Sequence, residues 1–197
     1  GGGVVGENAA IIATGMKGKV YVVDKSKERL KELHEMFGDK IIPTQSDKVD
    51  LNKLVSECDL LIGGVLIPGS EAPKLVTKKM IKSMKRGSVI VDVAIDQGGC
   101  VETSKPTTHA NPTYLVDNVV HYCVANMPGG VPRTSTMALN KATLPLLIKL
   151  ANQGYKKTLQ ENKNYLAGLN IYRGRITHKG VADAFRMQYY PPEDVLI

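Results

Sequence analysis

From the first residue to about residue 128, apolar runs alternate with amphipathic or polar stretches. Asn8-Ala9-Ala10-Ile11-Ile12-Ala13 is rich in small and apolar residues and suits a helix packed closely on a sheet. Lys19-Val20-Tyr21-Val22-Val23 is a short β-branched run and predicts a strand. Ser26 can cap a helix running to about Phe37, with Leu30, Leu33 and Phe37 on one face. Lys40-Ile41-Ile42 predicts the next strand, and a helix from Leu51 to Glu57 leads into the strand Asp59-Leu60-Leu61-Ile62. After the loop Gly63-Gly64-Val65-Leu66-Ile67-Pro68-Gly69 come a helix near Thr77 to Met84 and the strand Ser88-Val89-Ile90-Val91-Asp92-Val93. The last strand is Val119-Val120-His121-Tyr122-Cys123-Val124. Continuously apolar strands separated by helices are the pattern of a parallel sheet covered on both faces. The fold class is therefore α/β, a doubly wound parallel sheet lacking its first strand.

The pattern changes after Pro132. Thr134 to Gln153 reads as one long helix, capped by Thr134 or Ser135, with Pro145 predicting a kink and Gly154 past its end. A helix near Leu159 to Leu169, a turn at Gly174 and a polar helix near Lys179 to Arg186 follow. This mainly helical tail of about 65 residues is too small for a secure core of its own and is expected to belong to a second domain. The expected division is residues 1–132 and residues 133–197.

Composition removes several classes of function. The net charge is +7, but the basic residues are interleaved with acids, as in Lys25-Ser26-Lys27-Glu28-Arg29-Leu30-Lys31-Glu32, which reads as the solvated face of a helix. With 5% aromatic residues, no tryptophan and no basic stripe, a nucleic-acid binder is the least favoured reading. Cys58, Cys100 and Cys123 show neither metal-ligand spacing nor a disulfide framework, so no metal is expected and a reduced, cytoplasmic setting is the default. No apolar run approaches the roughly 18 residues of a membrane span.

The candidate chemistry lies on one edge of the predicted sheet. Gly1-Gly2-Gly3-Val4-Val5-Gly6 fits the G-x-G-x-x-G turn. Gly1 allows a tight turn, Gly3 lets the backbone approach a pyrophosphate, Gly6 allows close helix–strand packing, and the amides of the following helix start favour phosphate charge. Such a turn normally follows a buried strand, so the chain is expected to begin inside a βαβ unit of the Rossmann kind. Alone the motif also fits a bare strand–helix turn. Asp24 ends an apolar strand at the distance where a carboxylate meets ribose hydroxyls, which favours NAD over NADP, although Lys25 beside it could tolerate a 2′-phosphate; Asp24 also fits a helix cap. Asp96 lies beyond a parallel strand, at the edge where such sheets bind ligands, and could exchange a proton with a substrate or merely cap a loop. Asp92 sits within the strand and reads as structural. Asn126 offers the donor and acceptor that a nicotinamide carboxamide needs, and Met127 an apolar surface for its ring. His121 reads as a satisfied sheet residue, and His109 is unassigned.

Several strings then become recognisable. Val65-Leu66-Ile67-Pro68-Gly69, Asp92-Val93-Ala94-Ile95-Asp96-Gln97-Gly98-Gly99, Pro106-Thr107-Thr108-His109, Val124-Ala125-Asn126-Met127-Pro128-Gly129 and Val131-Pro132-Arg133-Thr134-Ser135-Thr136 resemble alanine dehydrogenase through essentially the whole chain. The resemblance implies NAD-dependent oxidative deamination of L-alanine to pyruvate and ammonium, a nucleotide domain inserted into a substrate domain, and a homohexamer. It implies Asp96 as the catalytic aspartate. It implies cofactor contacts at Gly1, Gly3, Val4, Val5, Gly6, Asp24, Ser46, Val65, Leu66, Ile95, Asp96, Asn126 and Met127. The family's substrate-binding arginine and lysine and its catalytic histidine belong to an amino-terminal domain with no counterpart here. This sequence is accordingly expected to be the carboxyl-terminal part of a larger dehydrogenase, inactive in isolation. Two other readings remain open: the nucleotide-binding component of proton-translocating transhydrogenase, and a non-catalytic dinucleotide-binding module.

Overall fold

A computed structural model of the chain describes residues 1–65, 67 and 72–196. They divide into a first unit of residues 1–65 and 72–127 and a second of Ile67 and residues 128–196.

The first unit alternates helix and strand in the predicted order as far as β4 and then adds two strands: α1 (Val4–Gly15), β1 (Val20–Asp24), α2 (Lys27–Phe37), β2 (Ile41–Gln45), α3 (Leu51–Glu57), β3 (Leu60–Gly63), α4 (Lys78–Lys82), β4 (Val89–Asp92), β5 (Thr113–Val116) and β6 (Val119–Tyr122). The helix starts follow local chemistry. Ser26 Oγ accepts the Arg29 N–H at the start of α2, Asp50 accepts that of Lys53 at α3, and Thr77 that of Met80 at α4.

β1 pairs with β2 in parallel. β3, β4 and β6 run parallel to one another in the order β3-β4-β6, and β5 adds an antiparallel edge. β5 was not anticipated. Its link to β6 is the two-residue Asp117-Asn118 turn with φ of 49° and 64°, the left-handed pair that tight hairpins require. That dipeptide was the available signal, hidden by the short alternating pattern of Thr113–Val116.

α1 packs on both β1 and β3, which lie in separate ladders. The first glycines stand against the ends of both, beside Asp24 and Gly64. One small core, Ala10, Val22, Leu33 and Ile41, lies between α1, α2 and the β1–β2 pair. A larger one gathers Val55, Ile81, Ile90, Val101 and Val119 around β4. Each fully buried side chain of this size contributes about 1.5–3 kcal/mol. Two-sided burial of every strand was expected and is not reached: Tyr21 is 40% and Leu60 51% exposed. Among the described residues β1 and β3 each pair with a single strand.

The second unit begins with the 22-residue helix α5 (Pro132–Gln153). Pro132 stands in its first turn, where a missing N–H costs nothing, so the helix starts two residues before the expected Thr134. α6 (Tyr155–Glu161) and α7 (Lys163–Leu166) replace the single helix expected over Leu159 to Leu169. The Asn162 side chain accepts the N–H groups of Asn164 and Tyr165 and restarts the helix. A hairpin of β7 (Ile171–Tyr172) and β8 (Arg175–Ile176), α8 (Lys179–Phe185) and α9 (Pro192–Val195) complete the unit. No α5 residue is buried, and Met137, Leu139, Leu146 and Leu147 stay exposed.

Candidate functional site

Glycine spacing shapes the opening turn. Gly3 precedes α1 in extended conformation, and its carbonyl accepts the Glu7 N–H at 2.9 Å. A Cβ on Gly6 would overlap the Gly1 carbonyl oxygen, so this helix start can close on the turn only without a side chain. A Cβ on Gly3 would meet nothing within 4 Å, which leaves that side open. The turn touches the carboxyl ends of two strands at once. The Gly2 N–H donates to Asp24 Oδ2 at 2.6 Å, at the end of β1. A Cβ on Gly1 would stand 3.0 Å from the Gly64 carbonyl oxygen and 3.4 Å from Val65, just past β3. Val5 packs against Gly64 from the helix side.

Asp24 holds this corner together. Its Oδ1 accepts the Ser26 N–H at 2.9 Å, and its own carbonyl accepts the Ser46 N–H at 2.9 Å. Half-burial works to raise its pKa, but hydrogen bonds from the Ser26, Gly2 and Lys25 N–H groups outweigh it and hold the carboxyl below its ordinary value. Ser26, not Asp24, caps α2 through its side chain. Each carboxylate oxygen has two lone pairs, so Asp24 keeps acceptor capacity beyond these three N–H groups.

Arg29 was missed in the sequence. Its Nε donates to the Gly2 carbonyl at 2.7 Å, and its guanidinium pairs with Glu7 on α1 and with Glu32. The mixed-charge stretch was read as a solvated helix face. One turn of it instead faces the glycines, with the Arg29 side chain only 26% exposed. Ion pairs on one helix face look alike in sequence whether or not a backbone carbonyl waits nearby.

The second cluster stands on the same rim. β3 and β4 run parallel and end side by side at Gly63 and Asp92. Beyond Asp92 the chain makes one short 3-10 turn, Val93–Gln97, that exposes Asp96 and buries Ile95. Asp96 Oδ1 accepts the Asn126 N–H at 3.2 Å. Asn126 holds φ of 55°, a left-handed conformation that asparagine tolerates better than most residues. His109, unassigned in the sequence, meets the Asn126 carbonyl through Nε2 at 3.0 Å. Met127 follows, half-buried. Beneath lies Cys100, whose thiol is pushed up to about 12 by burial and then by the neighbouring Asp92 charge. His121 is buried on β6, stacked on Tyr114, with Thr103 at 2.7 Å, and burial lowers its pKa.

Of the residues singled out in the sequence, Gly1, Gly3, Val4, Val5, Gly6, Asp24, Ser46 and Val65 thus gather around the opening turn. Ile95, Asp96, Asn126 and Met127 gather beyond β4 and β6. Leu66 lies outside the described residues.

The family model described as "Alanine dehydrogenase/PNT, C-terminal domain" matches residues 1–179. The chain belongs to this family. It is 56% identical over 189 residues to an alanine dehydrogenase of Halomonas elongata, covering 96% of this chain and 51% of that protein. It is 52% identical over all 197 residues to alanine dehydrogenase 2 of Staphylococcus aureus, covering 53% of it. A solved L-alanine dehydrogenase superposes with a TM-score of 0.82 at 49% identity, covering 94% of this chain and 51% of that one. A transhydrogenase from Sinorhizobium meliloti superposes at 0.69 with 23% identity, covering 91% and 48%, and shares the fold. The chain spans about half the length of the curated alanine dehydrogenases it matches.

Proposed function

We propose that this chain is the nucleotide-binding part of an NAD-dependent alanine dehydrogenase, catalysing the reversible oxidative deamination of L-alanine to pyruvate and ammonium. The observation that carries the reading is the placement of the glycine turn and Asp24 at the carboxyl end of β1, against Gly64 just past β3, and of the Asp96 loop just past β4, which ends beside β3; carboxyl ends of strands are where open α/β sheets take their ligands. The residues present fit a dinucleotide. The Gly3 side of the turn is open, the first N–H groups of α1 face it, and Asp24 retains acceptor capacity for ribose hydroxyls.

Bound there, the nicotinamide supplies an acceptor for the hydride of the alanine Cα–H. The chain's own residues orient and exchange protons. The α1 amides and the glycine backbone hold the diphosphate charge, and the Asp24 carboxylate repels a 2′-phosphate, which selects NAD. Val65 and Met127 supply apolar contact on the ring side and Ile95, buried in the same turn as Asp96, holds that turn in place, while Asn126 provides carboxamide donors and acceptors. Asp96 is exposed at the rim and anchored by one N–H, and it takes up or returns the protons that water addition and ammonia loss require. Substrate-binding cations and a histidine would come from a domain to which the second unit belongs. Homohexameric assembly and a cytoplasmic setting complete the proposal, the latter supported by Cys58, Cys100 and Cys123 all being free thiols. No described helix is long and apolar enough to cross a membrane.

The full-length protein carrying this chain is expected to reduce NAD when given L-alanine. Asp96→Ala should lower turnover by about a hundredfold or more, the usual share of a general acid–base group. Near-normal turnover of that variant would remove Asp96 from the mechanism. Tight nucleotide binding with no alanine-dependent reduction of NAD would favour a binding module instead.

A further inference from the structure

We infer that Asp92 is a positioning residue whose buried carboxylate clasps the Val93–Gly99 loop shut and so fixes Asp96 at the rim. The inference rests on the dinucleotide reading for its functional meaning, but its geometry stands alone. Asp92 is the last residue of β4 and is fully buried. Its Oδ2 accepts the N–H groups of Cys100 at 2.9 Å and Val101 at 3.1 Å, and its Oδ1 faces the Cys100 thiol at 3.5 Å. Burying a carboxylate is costly, and an ordinary strand end has no need of one. The surroundings are cut to fit it. A Cβ on Gly63 would overlap Cys100 Sγ and stand 3.1 Å from Asp92 Oδ1; one on Gly99 would stand 2.7 Å from Oδ2.

The consequence is a closed ring. The chain leaves β4 at Asp92, turns through Asp96, and returns eight residues later to bond the carboxylate it started from. Lys74 holds the return from outside, its Nζ donating to the carbonyls of Gly98 and Gly99, the latter at 2.7 Å. Pinned at both feet, the loop has few conformations, and Asp96 at its crest meets the Asn126 N–H. Loss of the clasp would free the crest and leave the Gly1–Gly6 turn, which Asp24 and Arg29 hold, in place.

The test uses this chain with Asp92→Ala and Asp92→Asn. Amide exchange followed by NMR reads the Asn126 N–H, whose acceptor is Asp96. Its protection should fall by about tenfold in Asp92→Ala, the loss expected for a charge-assisted bond. It should largely return in Asp92→Asn, whose carboxamide oxygen can accept both N–H groups. Protection at Val22 and Leu33, in the other core, should stay unchanged. In parallel, NADH should bind Asp92→Ala about tenfold more weakly, while ADP-ribose, which lacks the nicotinamide, changes by less than about twofold. Unchanged Asn126 protection would overturn the inference, as would parallel losses of NADH and ADP-ribose binding. If Asp92→Ala does not fold, Gly99→Ala displaces the same carboxylate without deleting it and is judged by the same readings. A wild-type chain that binds neither nucleotide would defeat the dinucleotide reading, and the Asn126 amide would still decide the clasp.

Discussion

At the scale of single residues, Asp24 carries the most. It joins the glycine turn, the start of α2 and the end of β2 through the Gly2, Ser26 and Ser46 N–H groups. Asp24→Ala removes the Gly2 anchor and the proposed ribose acceptor together, so NAD should bind at least roughly tenfold more weakly by calorimetry. The sign of its pH dependence follows from the bonds. The folded-state pKa lies below the ordinary 3.8, so the unfolded chain takes up protons first as the solution is acidified. The stabilising contribution is therefore complete above about pH 5 and is lost as pH falls through the lowered folded value. Denaturation of wild type and Asp24→Asn across pH should show a constant gap above about pH 5 that narrows below 3.8. A gap that widens on acidification would contradict the assignment. Asp24 was legible because a lone acid at the end of a β-branched run has few uses. Arg29 and Lys74 were not, because each acts on a backbone carbonyl far along the chain, and carbonyls leave no trace in sequence.

At the scale of elements, legibility followed periodicity. The β-branched runs and the Leu30, Leu33 and Phe37 face predicted β1 and α2 to within a residue or two, because burial of one face is what forms them. β5 escaped because an edge strand with half its side chains in water carries little pattern. The split of α6 from α7 escaped because one asparagine side chain outcompeted helix continuation. The junction of turn and helix offers the clearest test at this scale. Gly6→Ala places a methyl on the Gly1 carbonyl oxygen, a backbone atom with little room to move. We expect a loss of about 1–3 kcal/mol of stability by chemical denaturation, the range for overpacking. NAD affinity should fall with it, because the α1 amides can no longer close on the turn. Wild-type stability and affinity together would show that the helix start does not sit as described.

At the scale of the whole molecule, the two units have different standing. The first has its own cores, and its candidate residues gather in two clusters, one tied by the Gly2 N–H to Asp24 and the other by the Asn126 N–H to Asp96. The second buries Leu159, Ile176, Ala182 and Leu196 but keeps the apolar residues of α5 exposed. The proposal for the first unit is that a pyridine dinucleotide lies along its carboxyl rim, diphosphate on the opening turn and ring beside Ile95-Asp96-Gln97. The most direct measurement is an amide NMR titration of this chain with NADH and, separately, ADP-ribose. NADH should shift the amides of Gly2 to Gly6 together with those of Ile95, Asp96 and Asn126. ADP-ribose should shift the first group and leave the second nearly still. Shifts confined to other surfaces, or a second group that moves equally with both nucleotides, would contradict the account.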